Sequence, residues 1–361
     1  MAEKILVAMS GGVDSSVAVS LLKEQGYECS GAMMRMFDET RPEFVGCSSL
    51  GSEADAAKVA DRLGIPFTLI DGTETFRTCV IDAFVQTYEQ GGTPNPCVTC
   101  NKHVKFGQLL DYALAEGMNG IATGHYARVR KNETTGRYEL LRALDTAKDQ
   151  SYMLYSLSQS QLAHCHFPLG EMTKQEARER AETLGLCNAA KKDSQDICFI
   201  ADGDYGSFLE RYTGHGYAPG SFVTQDGKVL GEHRGIVHYT IGQRKGLGIS
   251  AEAPLYVTQI NPVDNTVTLS FGDGLFSDTV YVDNVNLISM RELTEPMRVL
   301  AKIRYRHEAE PATMYPYGEG GIRVVFDRPQ RAVTKGQSCV LYDGDVVVGG
   351  GTIVGGTMSQ E

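Results

Sequence analysis

The sequence has no long apolar run and no cationic, apolar leader segment. A membrane-spanning helix needs about 20 predominantly apolar residues, and a secretory signal joins a basic start to a short apolar stretch. Neither membrane insertion nor secretion is therefore expected. The nine cysteines then indicate a reducing compartment, the cytoplasm, where thiols pack, bind metals or react rather than form structural disulfides.

The sequence also lacks an excess of positive charge, since 34 basic residues face 45 acidic ones and the formal net charge is −11. This balance excludes a general affinity for polyanions, but it leaves room for a local basic patch that makes a specific contact. A length of 361 residues predicts two or three domains, because single hydrophobic cores rarely grow beyond about 250–300 residues.

The beginning of the chain predicts an anion site. An apolar run from Ile5 to Met9 is typical of a buried parallel strand, and Ser10-Gly11-Gly12 forms a turn before a helix that should stop at Gly26. A strand, a glycine turn and a helix direct free backbone N–H groups and the positive end of the helix dipole at an anion. The anion predicted here is a phosphate.

Two familiar phosphate motifs are absent from this turn. No lysine follows the glycines, so the P-loop pattern fails, and GxGxxG fails as well. The hydroxyls of Ser10, Ser15 and Ser16 would add donors. Asp14 would favour the helix dipole or hold a magnesium ion. The alternative is an ordinary strand-to-helix turn in which Ser10 is the N-cap.

The string Ser-Gly-Gly-Val-Asp-Ser-Ser resembles the PP-loop of the ATP pyrophosphatases, which split ATP between its α and β phosphates and activate a substrate oxygen as an adenylate. This resemblance implies an ATP site with Mg²⁺. The implied ATP-binding residues are Ala8, Met9, Ser10, Gly11, Gly12, Val13, Asp14 and Ser15.

Alternating strands and helices predict a parallel α/β sheet around this loop. The predicted strands cover 27–34, 65–71 and 118–126, the predicted helices begin at Ser52 and Thr73, and a hairpin is predicted over 128–142. Ligands bind beyond the carboxyl ends of such strands. There Met34 would pack on adenine or in the core, Gly124 would admit a close backbone approach, and His125 would be a ligand contact or a structural histidine.

Cys97 and Cys100 follow Pro94 and Pro96, and we expect them in a proline-bounded loop, with a helix only from about Lys105. A Cys-x-x-Cys pair in a reducing compartment indicates zinc, redox exchange or sulfur transfer. Zinc usually needs a second ligand pair. A redox motif should open a helix after a first strand, whereas these cysteines lie far into the chain, so sulfur transfer is favoured. Cys198, beside Lys191, Lys192 and two acids, is the expected third thiol.

Helical spacing disappears from about Ala218, where short alternating runs and Asp-Gly turns begin. The predicted fold is an α/β PP-loop domain with a helical extension, a small β domain and a C-terminal β-barrel. The predicted boundaries are 1–213, with the extension at about 145–213, then 214–280 and 281–361.

Several motifs spread along nearly the whole chain resemble the tRNA-specific 2-thiouridylases. They are Ser-Gly-Gly-Val-Asp-Ser-Ser, Thr-Pro-Asn-Pro-x-x-x-Cys-Asn-Lys, Ala-Thr-Gly-His-Tyr, Lys-Asp-Gln-Ser-Tyr, Asp-Ile-Cys-Phe-Ile and the stretches 239–248 and 302–306. The resemblance implies that ATP adenylates the 2-carbonyl oxygen of a wobble uridine in tRNA. A persulfide on Cys198 then supplies sulfur and Cys100 is the nucleophile. A persulfide donor, such as a cysteine desulfurase or a sulfur-relay protein, is implied as a partner.

The same resemblance implies a set of tRNA contacts. They are Asn95, Pro96, Cys97, His125, Lys148, Asp149, Gln150, Arg304, Tyr305 and Gln337. Arg298, Lys302, Arg304 and Arg306 fall in a stretch without acids, where Tyr305 would stack on a base. The alternative for these basic residues is a solvated strand face.

One position departs from the commonest family pattern, because Cys97 stands where many members have aspartate. Three cysteines around one point would suit an iron–sulfur cluster as well as a persulfide relay, and the sequence leaves both open. Two other readings also remain: a PP-loop enzyme that adenylates a small molecule, and a non-catalytic ATP sensor. Neither has a need for Cys100 and Cys198.

Overall fold

The computed structural model describes residues 2–38, 40–44, 50–189 and 197–358. Its first half contains seven strands: β1 (Lys4–Ala8), β2 (Glu28–Arg35), β3 (Phe67–Asp71), β4 (Gly120–Ala122), β5 (Ala127–Lys131), β6 (Tyr138–Arg142) and β7 (Cys165–His166). Five of them form a parallel sheet in the order β3-β2-β1-β4-β7. The predicted parallel sheet is confirmed, and β7 extends it from within the region predicted to be mostly helical.

Nine α-helices are present in the described residues. They are α1 (Val13–Glu24), α2 (Leu50–Leu63), α3 (Thr73–Phe76), α4 (Asp82–Glu89), α5 (Pro96–Cys100), α6 (Leu109–Ala115), α7 (Gln159–Leu162), α8 (Lys174–Thr183) and α9 (Tyr205–Thr213). Two π-helical segments, Arg77–Ile81 and Asn101–Gln108, join α3 to α4 and α5 to α6. The polypeptide is therefore helical from Pro96 to Ala115.

Two predicted helix starts were wrong. Helix α2 begins at Leu50, so Ser52 lies inside the helix and is not its N-cap. Helix α5 begins at Pro96 and ends at Cys100, so both cysteines lie in this short helix rather than in a loop. The physical reason is that proline fixes a helical φ and needs no N–H partner at the first helical position, so it starts helices as readily as it bounds loops.

Both faces of the parallel sheet are covered. Ile5 and Val7 point into a core with Val17 of α1, whereas Leu6 points into a second core with Phe76 of α3. Alternate residues of a strand face opposite sides, so β1 is buried on both faces, as its apolar run predicts. This burial fixes the end of β1 and hence the position of the glycine turn that follows.

The second half of the chain is β structure, as predicted. Its strands are β8 (Gly220–Val223), β9 (Val229–His233), β10 (Tyr256–Asn261), β11 (Thr266–Ser270), β12 (Phe276–Leu287), β13 (Met297–Lys302), β14 (Glu310–Tyr317), β15 (Gly321–Arg331), β16 (Ser338–Asp343) and β17 (Val346–Thr357). Strands β8 to β11 form a small mixed sheet. Strands β12 to β17 close into an antiparallel barrel through the β12–β17 pairing.

The hairpin β5–β6 turns at 132–136, as predicted, but it belongs to the barrel sheet rather than to the parallel sheet. Leu141 of β6 pairs with Val346 of β17, and the Arg142 N–H donates to the Asp345 carbonyl over 2.9 Å. This junction ties the barrel to the first domain. No helix in the described part of the chain has the length and apolar character that crossing a membrane requires.

Candidate active site

The turn between β1 and α1 has the backbone of an anion-binding loop. Gly11 has a φ of +67°, and a Cβ there would lie 2.3 Å from the Ser52 carbonyl oxygen, so only glycine fits. Gly12 is the N-cap of α1 and provides no side-chain hydrogen bond. The alternative prediction of Ser10 as N-cap was therefore wrong. The first-turn N–H groups have no side-chain cap competing for them.

The serine hydroxyls hold the turn together. Ser15 and Ser16 are buried, and their hydroxyls donate to the Gly12 carbonyl over 3.2 and 2.9 Å. Buried Asn188 donates its Nδ2 to the Gly11 carbonyl and to the Ser16 hydroxyl, over 3.2 and 2.9 Å. No motif in the sequence indicated that Asn188 would bond to the glycine turn. Ser10, by contrast, is exposed beside the turn.

The Asp14 carboxylate contacts two side chains that the sequence did not indicate as its partners. The Lys174 ammonium, whose side chain is 9% exposed, lies 2.8 Å from both carboxylate oxygens. The Tyr126 hydroxyl donates to Oδ1 over 2.9 Å. Lys174 follows Thr173, the N-cap of α8, which forms a capping box with Glu176. That box fixes the start of α8 and so places Lys174 against Asp14.

Gly124 and Met34 both contact protein. A Cβ at Gly124 would lie 2.7 Å from the Ser15 nitrogen, so this glycine lets the end of β4 approach α1. Met34 is buried in the sheet core, and its Cε would lie 2.6 Å from a Cβ at Gly72. The core alternative for Met34 therefore describes its packing, and its contact with adenine stays a prediction.

His125 lies at the ligand edge of the sheet, packed between the rings of Phe106 and Phe167 with centroids 5.9 and 6.3 Å away. Its Nδ1 shares a hydrogen bond with the Thr123 hydroxyl at 2.7 Å. Burial, with a smaller effect from the Lys105 ammonium, holds the pKa of His125 well below its usual value. The imidazole is therefore neutral at pH 7, and its contact with tRNA stays a prediction.

Cys97, Cys100 and Cys198 are close enough for their charges to interact. Cys97 and Cys198 are exposed and Cys100 is 9% exposed. Desolvation raises the pKa of Cys97, that of Cys100 to about 11 and that of Cys198 to about 12, and neighbouring thiols add to the last two shifts. Cys97 and Cys198 are thus accessible thiols, although the surrounding protein disfavours their charged forms. The stretch 190–196, with the lysines and acids predicted beside Cys198, lies outside the described residues.

Lys105 is the cation of this thiol site. It is half-buried in the π-helical segment after α5, and its charge lowers the pKa of all three thiols against the effect of desolvation. No carboxylate in the described segments forms an ion pair with it. A positive charge beside a thiol stabilises the thiolate, which is the nucleophilic form.

Lys105→Met should slow alkylation of Cys100 and Cys198 by iodoacetamide at pH 8 by about threefold to tenfold. Without the cation the thiol pKa rises by about half a unit to one unit, and the thiolate fraction falls accordingly. The measurement is peptide mass spectrometry over time. Lys102→Met is the matched control, because Lys102 is exposed on the same helical stretch and does not act on the thiols. Equal alkylation rates in the wild type and in Lys105→Met would show that Lys105 does not stabilise the thiolates.

The barrel holds the segment that leads into α5. Gln337 donates its Nε2 to the carbonyls of Thr93 and Pro94 over 3.0 and 3.1 Å. The Thr93 N–H donates to the Lys335 carbonyl over 2.8 Å. A cavity of about 290 Å³ lies beside this contact, and Asn95, Pro96 and Lys335 are among its lining residues. Gln337 thus makes protein contacts, and its predicted contact with tRNA, like those of Asn95, Pro96 and Cys97, stays a prediction.

Asp149 and Gln150 shape a turn next to the barrel. Asp149 Oδ1 accepts the N–H groups of Ala143 and Ser151, each over 3.1 Å, and Gln150 Oε1 accepts the Tyr126 N–H over 2.9 Å. Lys148 is half-buried in the same turn. The contacts of this turn with tRNA stay predictions.

The basic stretch of the barrel divides into two parts. Arg298 forms two hydrogen bonds of 2.7 Å with Asp327, so its charge is neutralised on the strand surface, as the alternative reading predicts. Arg304 is half-buried and bonds to the Ala332 carbonyl and, over 3.1 Å, to the Thr334 hydroxyl. The Lys302 ammonium lies 5.5 Å from the ring centroid of Tyr305. Tyr305 is near the thiols, since the charge of Cys97 influences the pKa of Tyr305.

The described residues contain no group of three or more Cys, His, Asp or Glu side chains arranged to hold a metal ion. Cys97, Cys100 and Cys198, as placed in the described part of the chain, do not form such a group, and no iron–sulfur cluster is assigned to them. A magnesium ion at a nucleotide site needs only one or two carboxylates with phosphate oxygens, and Asp14 at the glycine turn fits that need.

Comparison with known proteins agrees with this architecture. Family models match residues 3–202 as a "tRNA methyl transferase HUP domain", 206–270 as a "tRNA methyl transferase PRC-barrel domain" and 277–353 as an "Aminomethyltransferase beta-barrel domain". The fold and the glycine turn thus define a three-domain protein with an N-terminal HUP domain. The predicted architecture is confirmed, and the residue boundaries remain predictions.

The similarity to curated proteins extends over nearly the full length. The chain is 47% identical over 355 residues to tRNA-specific 2-thiouridylase MnmA of Clostridioides difficile (strain 630), covering 98% of both chains. It is 49% identical over 355 residues to the enzyme of that name from Acetivibrio thermocellus, covering 97% of this chain and 99% of the relative. The chain belongs to the tRNA-specific 2-thiouridylase family.

Proposed function

We propose that this chain is a tRNA-uridine 2-sulfurtransferase that uses ATP to replace the 2-carbonyl oxygen of a wobble uridine with sulfur. The observation that supports this most directly is that Cys97, Cys100 and Cys198 lie close enough for their charges to interact. Lys105 acts on all three thiols, and the site is in the same domain as the glycine turn. A small-molecule adenylating enzyme or an ATP sensor has no use for such a thiol site. Family membership supports the same conclusion.

The first step makes the uridine oxygen a leaving group. The turn N–H groups before α1 would bind the phosphates of ATP, and the uridine oxygen would attack the α-phosphorus and release pyrophosphate. Mg²⁺ would neutralise phosphate charge, with Asp14 as its carboxylate ligand. Lys174 is already at Asp14 and would supply a second positive charge near the departing pyrophosphate.

The second step delivers sulfur. A persulfide on Cys198, loaded by a donor protein, carries the sulfane sulfur. In one route the Cys100 thiolate attacks the Cys198 sulfur, releases hydrosulfide and forms a Cys100–Cys198 disulfide; hydrosulfide then attacks C2 and expels AMP. In the other route the persulfide attacks C2 and Cys100 resolves the thiolated product. Both routes leave the same disulfide, which two electrons from a reductant must open.

The direct test is mass spectrometry of nucleosides from unmodified tRNA incubated with enzyme, ATP, cysteine and a cysteine desulfurase. We expect 2-thiouridine, with one AMP and one pyrophosphate for each sulfur inserted. Omitting ATP is the control. Pyrophosphate release without any 2-thiouridine, or release that needs no tRNA, would assign the chain to another substrate.

Arg304→Ala should weaken tRNA binding and reduce the slope of log affinity against log salt by about one, since one phosphate contact is lost. ATP affinity should not change. The measurement is a filter-binding titration at several salt concentrations. Arg298→Ala is the matched control, because Arg298 is already paired with Asp327 and should keep the wild-type slope. A wild-type slope for Arg304→Ala would place the phosphate contact elsewhere.

A further inference from the structure

Cys97 has no task in either route above, yet it is an exposed thiol at the centre of the sulfur chemistry. A redox Cys-x-x-Cys pair is expected at the start of a helix that follows a first strand. The structure meets the first part of that expectation, since Cys97 and Cys100 both lie in the short helix α5, which begins at Pro96. The first cysteine is exposed and the second is buried.

We propose that Cys97 and Cys100 form a redox pair that opens the Cys100–Cys198 disulfide after each turnover. This inference rests on the proposed function. The Cys97 thiolate attacks the Cys100 sulfur, the Cys100–Cys198 bond breaks, and a Cys97–Cys100 bond forms. Cys198 leaves with the electron pair and takes up the proton that Cys97 gave up. The exchange needs no outside oxidant, because the disulfide made during thiolation is its substrate.

The geometry allows this exchange. Residues three apart on a helix have Cβ atoms about 5–6 Å apart, and a disulfide needs about 3.5–4.5 Å. A small adjustment of the first turn closes that gap, and this turn follows Asn95, whose backbone is not helical (φ −117°, ψ 84°). Cys198 interacts with both other thiols, and more strongly with Cys100 than with Cys97. Cys100 thus has two possible disulfide partners, Cys97 in the same helix and Cys198.

Protonation follows the exchange. Desolvation raises the pKa of Cys198 to about 12, so the thiolate that leaves is protonated near pH 7 and no longer competes as a nucleophile. The positive charge of Lys105 stabilises the thiolate form of each of the three cysteines while that form is present. The oxidised pair then presents the exposed Cys97 sulfur to an external dithiol reductant, while Cys198 is free to accept the next sulfane sulfur.

The test is one turnover without reductant. Enzyme loaded with persulfide by cysteine and a cysteine desulfurase receives ATP and tRNA, is quenched in acid, alkylated and mapped by peptide mass spectrometry. We expect a Cys97–Cys100 disulfide and an alkylated Cys198. Cys97→Ser should instead retain the Cys100–Cys198 disulfide and give about tenfold fewer turnovers at limiting dithiol. Cys187→Ser removes an exposed thiol elsewhere and is the control. It should give the same disulfide and the same alkylated Cys198 as the wild type.

A Cys100–Cys198 disulfide beside an alkylated Cys97 in the wild type would overturn this proposal, provided that 2-thiouridine has formed. Absence of 2-thiouridine would instead overturn the proposed function, and this inference with it. Iron analysis of anaerobically purified enzyme is the second measurement. Stoichiometric iron that is lost together with thiolation in Cys97→Ser would make Cys97 a cluster ligand and end the redox assignment.

Discussion

Cys198→Ala should lower tRNA thiolation by about a thousandfold or more while pyrophosphate release from ATP in the presence of tRNA continues. The alanine cannot carry a persulfide, so no sulfur reaches the activated uridine, whereas the glycine turn before α1 keeps its donors. Loss of a covalent nucleophile typically lowers kcat by several orders of magnitude. The measurements are 2-thiouridine by mass spectrometry and pyrophosphate by a coupled assay.

Cys187→Ala is the matched control for that experiment, because Cys187 is also an exposed free thiol and shows no interaction with Cys97 or Cys100. It should thiolate at the wild-type rate. An active Cys198→Ala enzyme would show that sulfur arrives by another residue. Loss of pyrophosphate release together with thiolation would show that the substitution disturbs the adenylation site.

Asp14→Asn should lower the rate of pyrophosphate release by about a hundredfold or more. The reason is that the phosphate site loses its carboxylate and any magnesium ion bound to it. The Lys174 contact adds a second consequence. Removing the charge of Asp14 leaves a mostly buried ammonium without its counter-ion, so the variant should also lose roughly 3 kcal/mol of unfolding free energy.

The double variant Asp14→Asn, Lys174→Met separates the two effects. Removing both charges should restore most of the lost stability, measured by urea unfolding. Pyrophosphate release should remain absent. Recovery of release in the double variant would mean that Asp14 acts only as the partner of Lys174 and not at the phosphates.

Local patterns of the sequence determined the elements of the first domain. The apolar run of β1 and the glycines after it were both predicted, because each depends on backbone preferences within a few residues. The change to β structure near residue 218 was visible for the same reason. The start of α5 was not, since Pro96 is compatible with both a loop boundary and a first helical position.

Only the tertiary structure decided how these elements meet. Lys174 reaches Asp14 across 160 positions of sequence and Gln337 reaches Pro94 across 243, and no periodicity encodes which distant side chains will pair. The thiol site likewise combines two cysteines of α5 with Cys198, which lies about 100 residues later in the chain. Strand and helix patterns depend on neighbours along the chain, whereas ion pairs and reactive clusters depend on the packing of whole elements.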